Sequence, residues 1–293
     1  MKRCARLVAI LLPIFFTAPA LVASPGESPI SATGDEAPLE KRSVPSGDLL
    51  LPLYEVDTLA ADGLTTLWAV RNDSLSSIDI EVLYYEPDAP QAFQRRDVFT
   101  IGPKAIKTVN VRFVENLEVS PDGIARGYAI FRVMGSGPQE IQGDYFVITP
   151  GQNFASGFRL VNIDSDSSQN ELCRTATIRF MQGGGFSGGT TYRIWFEAET
   201  PPMGENPVIS YAVYSEAGGT PVLEAELPVE ESAFDVDINT LLGPFQGQVS
   251  FGAVEFSFSG TVGDPPRNRL GSVSGVLDAL GSYSVGIESS CTN

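Results

Sequence analysis

The chain has 293 residues, 43% of them hydrophobic and 10% aromatic, which is enough apolar material for two domains with real cores and excludes general disorder. Its formal charge is −17, from 19 basic and 36 acidic residues, and such a surface repels phosphate backbones and anionic lipid headgroups. No basic patch offsets that charge in the sequence, so nucleic acid is not an expected partner.

The first residues, MKRCARLVAILLPIFFTAPALVAS, combine a basic start, an apolar stretch from Leu7 to Phe16 broken by Pro13, and small residues before a cut after Ala20 or Ala23. Residues 1–23 therefore read as a secretory signal peptide. No later stretch has the length of a membrane span, so no membrane insertion is expected once the signal is removed, and the expected location is secreted or periplasmic. Residues 24–47, rich in Pro, Ser, Gly and Glu without apolar period, read as a disordered linker in which Lys41-Arg42 is an ordinary dibasic pair.

From Leu49 the dominant signal is period two. In SSIDIEVLYY, Ile78, Ile80, Val82 and Tyr84 share one face and Ser77, Asp79 and Glu81 the other, as a half-buried strand requires. The same alternation predicts a strand through TVNVRF, with Val109, Val111 and Phe113 on one side, and another through Phe131 and Val133. Turn chemistry at Arg71–Ser74, Glu86–Asp88, Ile101–Pro103 and Ser120–Gly123 separates these runs. Short strands at this spacing indicate an antiparallel sandwich over 48–163.

Polar residues take over from Asn162 to Asn170, and this is the expected domain boundary. A second sandwich over 171–293 is expected from ATIRF, TTYRIWFE, VISYAVYS, Val222–Leu227, AFDVDI, QVSFGAVEFSF, GSVSGVLDAL and SYSVGI. In QVSFGAVEFSF the apolar phase slips between Phe251 and Val254, which predicts a bulge at Gly252-Ala253. No repeat aligns the two halves, so two different sandwiches are expected.

The run from Thr65 to Phe131, with LWAVRND, FTIGPKAIKTVNV and PDGIARGYAIF, resembles the immunoglobulin-like domains of exported bacterial proteins. RFMQGGGFSGGTTYRIWFE is similar to a companion sandwich in such proteins. The first domain departs from antibody-type domains in having no Cys pair, and Tyr128 is not followed two residues later by Cys. The resemblance implies an all-β fold, immunoglobulin-like or jelly-roll-like, and export; it brings no catalytic residue.

Gly185-Phe186-Ser187-Gly188-Gly189 spells the G-x-S-x-G of a hydrolase nucleophile elbow, which needs a following helix and a base. The chain has no histidine, its second half has no lysine, and a strand pattern rather than a helix follows Ser187. The glycine cluster reads as a hairpin connection, and no catalytic residue is assigned. Absent histidine also removes most zinc and iron chemistry. Asp164, Asp166, Ser168 and Asn170 alternate like the start of an oxygen-ligand calcium loop, but the glycine and terminal glutamate of an EF-hand are missing, so no cofactor is assigned.

Cys173 and Cys291 remain once Cys4 leaves with the signal, and an even count in an oxidising compartment favours a disulfide over two free buried thiols. Cys291 continues the phase of Tyr283, Val285 and Ile287, while Cys173 is out of phase with Ile178 and Phe180 and should lie before the regular strand begins or after a local irregularity. Trp195 takes the outward phase of its strand, where it could stack on a sugar or anchor a partner, or cover a domain contact or the other side of a loop. The expectation is an exported, non-enzymatic structural, adhesion or binding protein with a protein or glycan partner. A carbohydrate-binding module using exposed aromatics and a histidine-free carboxylate hydrolase are the alternatives.

Overall fold

The computed structural model describes residues 47–88, 92–135, 141–152, 154–164, 170–182, 189–197, 208–229, 231–258, 269–279 and 283–292. The signal peptide, nearly all of the 24–47 linker, Asp166, Ser168 and Ser187 lie outside the described residues. The described residues belong to one compact unit and form an all-β fold of antiparallel sheets arranged as two sandwiches.

In the first sandwich, β1 (Asp48–Asp57), β3 (Ile78–Tyr85), β4 (Phe93–Ile101), β6 (Ile124–Met134) and β9 (Val161–Asn162) form a five-stranded sheet in the order β4-β3-β6-β1-β9. Facing it is a four-stranded sheet in the order β5-β2-β7-β8, made of β2 (Thr65–Asn72), β5 (Ile106–Asn110), β7 (Ile141–Thr149) and β8 (Phe154–Arg159). Alternation places Ile80, Val82, Tyr84, Trp68, Val70, Ala129 and Phe131 between the sheets, all with no exposed surface. Trp68 meets Phe131 edge to face at 5.0 Å and donates its indole N–H to the Tyr84 hydroxyl at 3.2 Å. Buried Asn72 supports the turns at this end, donating to the carbonyls of Ser76, Ile101 and Gly102.

The expected TVNVRF strand is shorter than its pattern. After Asn110 the chain enters a 3-10 turn, Val111–Phe113, capped by the Asn110 side chain accepting from Arg112 N–H. Val111 stays in the core, but Phe113 is turned out to solvent at 78% exposure. A local side-chain cap overrides the period-two pattern.

In the second sandwich, β10 (Thr175–Met181), β12 (Val208–Ser215), β13 (Leu223–Pro228), β15 (Phe251–Ser257) and β18 (Ser290–Thr292) form a sheet in the order β13-β12-β15-β10-β18. The opposing order is β14-β11-β16-β17, from β11 (Gly189–Phe196), β14 (Ala233–Asp237), β16 (Gly271–Ala279) and β17 (Tyr283–Glu288). AFDVDI ends as a strand at Asp237, whose carboxylate caps a short helix, α1 (Ile238–Leu242). The bulge predicted at Gly252-Ala253 is absent: β15 pairs with β10 and β12 in unbroken register. Gly252, Val254 and Phe256 share the inner phase, Phe251 faces outward at 44% exposure, and Val249 precedes the strand. Glycine is required at 252, because a Cβ there would run into the Tyr214 carbonyl and the Phe180 ring.

The expectation of two different sandwiches is overturned. Adding nine to every strand number of the first sandwich reproduces both sheet orders of the second. The residue register repeats as well. Val82, Phe131, Leu49 and Asn162 stand in one cross-strand row of the first, and Tyr211, Phe256, Ala176 and Cys291 in the same row of the second. Tyr192 takes the place of Trp68, meeting Phe256 edge to face at 5.4 Å as Trp68 meets Phe131. The Thr66 hydroxyl accepts from Glu55 N–H and donates to its carbonyl, and Thr190 does the same to Met181. Gly127 repeats as Gly252: its Cβ would meet the Tyr85 carbonyl and the Tyr54 side chain. The fold is one nine-strand plan used twice.

Burial raises the pKa of the Tyr54, Tyr84, Tyr128, Tyr145 and Tyr192 phenols. A raised folded-state pKa means that the native state holds protons which the unfolded chain releases above pH about 10, so stability is full below that pH and falls as pH rises. Each such phenol contributes a slope of about 1.4 kcal/mol per pH unit. Tyrosinate absorbance on alkaline titration should therefore show these phenols ionising together with loss of the folded circular dichroism signal, not before it.

Candidate functional site

Strand β11 is buried on both faces. Tyr192, Ile194 and Phe196 point into the second core, and Arg193 and Trp195 point out of it against the first sandwich. A third apolar cluster joins the sandwiches: Leu50, Leu53 and Tyr128 of the first with Leu172, Trp195 and Ala233 of the second, flanked by Tyr85, Ile130, Val161, Ile163 and Leu270. The outer face of the first five-stranded sheet thus lies on the outer face of the second four-stranded sheet, whose edge strand β17 also runs against β8, the edge of the first four-stranded sheet. A register shift between Leu51 and Tyr54 breaks strict alternation in β1 and lets Leu50 and Leu53 both serve the joint while Leu51 and Tyr54 serve the core. At the margin Ser232 N–H donates to the Pro87 carbonyl at 2.6 Å.

Arg193 lies inside this joint with only 4% of its side chain exposed. Its guanidinium pairs with Asp235 at 2.9 Å, which faces it across β14, and with Glu55 at 3.3 Å on β1 of the first sandwich. Its central carbon stands 5.9 Å from the centre of the Phe158 ring on β8. Burial opposes the charge, but Asp235 and Glu55 outweigh it and hold the guanidinium above its ordinary pKa. Glu55 is shared with Arg126, which also binds Asp122 at 2.8 Å, so the network runs from the buried centre to the surface. Burial raises the Tyr145 phenol, against which Arg193 and the Ser274 hydroxyl act in the other direction.

Trp195, expected on an outward phase, is not an exposed platform: it is 6% exposed and meets Tyr128 edge to face at 5.9 Å, because that phase faces the first sandwich instead of water. Cys173 and Cys291 form a disulfide with Cα atoms 5.2 Å apart. Cys173 precedes β10 and bridges Gly271, one of the two places its phase allowed. Cys291 does not continue β17: the chain leaves that sheet after Glu288 and joins the opposite one as the edge strand β18, where Cys291 pairs with Ala176 and stays exposed at the sheet edge. Asp164 accepts from Gly47 N–H at 3.4 Å, 117 residues away in the chain, and Asn170 accepts from Leu172 N–H at 2.9 Å. Among the described residues no three acidic or cysteine side chains gather as a metal site.

Arg193 is not among the candidate residues of the sequence, where it shares a phase with Trp195 and Glu197 against Tyr192, Ile194 and Phe196. The signal available was the pairing of Arg193 with a large aromatic, Trp195, on that phase. Two outer faces stay uncovered by the joint. On the first four-stranded sheet Leu67, Ala69, Arg71 and Phe146 point outward, Phe146 at 40% exposure and leaning over Gly157. On the second five-stranded sheet Met181, Phe251, Ala253, Glu255 and Tyr214 do so. No family model, curated protein or solved structure matches the chain.

Arg193→Ala should destabilise the protein by about 3 kcal/mol, the low end for breaking a buried pair, because Glu55 and Asp235 keep 17% and 30% side-chain exposure and recover some hydration. Denaturant unfolding checks it, and Asp144→Ala, on the uncovered face, should leave the midpoint nearly unchanged. Replacing Cys173 and Cys291 by alanine opens a link across 118 residues and should cost about 2–5 kcal/mol, read as a lower unfolding midpoint than that of the oxidised protein.

Proposed function

We propose that the protein is an exported, non-enzymatic structural or adhesion protein of the periplasm or extracellular space, built on immunoglobulin-like sandwiches. The observation that supports this best is the buried Arg193 network, which ties two sandwiches together in one compact unit and leaves broad sheet faces to meet partners. A paired Cys173–Cys291 suits an oxidising compartment, and the leader-like first 23 residues suit export.

Expression from the intact gene in a bacterial host tests the reading. The chain should be recovered from the periplasm or medium, starting after Ala20 or Ala23, with Cys173 and Cys291 oxidised. Retention of Met1 in the cytoplasm with both thiols free would overturn export. Turnover of a glycoside or ester substrate that is lost on a single carboxylate or Ser187 substitution would overturn the non-enzymatic role.

A further inference from the structure

The internal joint is heterologous: a four-stranded outer face seats on a five-stranded outer face. Because the plan is repeated, the same two kinds of face recur uncovered, the four-stranded one on the first sandwich and the five-stranded one on the second. We propose that these faces bind each other between molecules, so that a second copy of this chain is the partner and copies assemble head to tail in the geometry of the internal joint. This gives the structural role proposed above a physical form and rests on it only for its cellular setting.

The register identifies each counterpart. Arg193 and Trp195 of the covered four-stranded face correspond to Ala69 and Arg71 of the free one. Glu55 and Arg126, paired across β1 and β6, correspond to Met181 and Phe251, paired across β10 and β15. Tyr128 and Ile130 correspond to Ala253 and Glu255.

Chemistry has switched on both sides of each contact together. Inside the molecule Arg193 meets Glu55; between molecules Ala69, next to Leu67 and half-exposed Phe146, would meet Met181 and half-exposed Phe251. Inside the molecule Trp195 meets Tyr128; between molecules Arg71, paired on the surface with Asp73, would meet Ala253 with Glu255 next along β15. The buried ion pair gives way to apolar side chains bordered by Asp144 and Thr108, which pair with Ala69, and the aromatic pair gives way to Arg71 opposite Ala253, with Glu255 at the place of Ile130.

Sedimentation velocity of the secreted, oxidised protein over a range of concentrations at physiological salt tests this. The average mass should rise with concentration past the dimer without levelling off. Phe146→Asp and Phe251→Asp should each sediment as monomers with unchanged circular dichroism. An equimolar mixture of the two should stop at the dimer, since each variant keeps one intact face and the mixture contains one matched pair. Arg71→Glu should weaken assembly, and adding Glu255→Arg to the same chain should restore it. A wild type that stays monomeric at its highest soluble concentration overturns the proposal. A dimer abolished by Phe146→Asp but indifferent to Phe251→Asp also overturns it, because that result means a symmetric contact through one face. Glycan-array binding by a monomeric wild type, lost in Phe146→Asp, overturns it in favour of a sugar platform.

Discussion

A buried arginine needs carboxylates, and Arg193 takes one from each sandwich. That requirement organises the joint. A guanidinium removed from water is tolerable only where opposite charge and hydrogen bonds replace its hydration, so the two sandwiches cannot slide or separate without leaving Arg193, Glu55 or Asp235 partly unmet. The apolar cluster around Trp195 and Tyr128 supplies non-directional attraction, and the ionic centre adds direction to it. Strand β11 carries both elements one turn of the pleat apart, while its other face builds the second core with Tyr192, Ile194 and Phe196. The joint and the core are therefore written on one strand.

The repeated plan shows which constraints are strict. A cross-strand row needs apolar volume, and Trp68 or Tyr192 satisfies it equally if a Phe from the facing sheet meets the ring edge. The threonine clamp between the first two strands and the glycine under the Tyr85 or Tyr214 carbonyl of the third strand are narrower, since a small hydroxyl residue serves the one and only glycine fits the other. Those positions keep their chemistry. The outer faces, free of core requirements, have changed completely: Leu50, Tyr128 and Ile130 against Thr177, Ala253 and Glu255.

This division explains what was legible in the sequence. Strands with one wet and one dry face, such as Ile78–Tyr85, announce themselves by period two, and so the all-β sandwich class could be read. Arg193 could not be placed, and Trp195 could be read either as an exposed platform or as the cover of a domain contact, because their phase is dry for a reason located in another part of the chain. Phe113 and Phe251 misled in the opposite direction, following the apolar alphabet while facing solvent, the first after a capped turn and the second beyond a glycine that occupies the inner phase. The duplication was invisible because it is kept in volumes, clamps and register, which letter-by-letter comparison does not weigh. The disulfide was legible from cysteine count, yet the route of Cys291 was not, since a crossing between sheets within two residues leaves no periodic trace.

The two short closing strands, β9 and β18, show how one plan accommodates different neighbours. Each crosses from the four-stranded sheet to pair with the first strand of its own sandwich, and each is too short for ladder hydrogen bonds alone to hold it. In the first sandwich Asn162 is fastened by Glu171, nine residues further along the chain: the Asn162 N–H donates to the Glu171 carboxylate at 2.9 Å, and the Asn162 carbonyl accepts from Glu171 N–H at 2.8 Å. In the second, the residue at the same place in the row is Cys291, fastened covalently to Cys173, two residues beyond Glu171. The segment 171–173 thus latches the last strand of both sandwiches, one by hydrogen bonds and one by a sulfur bridge. Closure of the second sandwich and continuity across the joint depend on the same three residues, so the chain's middle is tied to both of its closing strands and to the Leu172 side chain buried between the sandwiches.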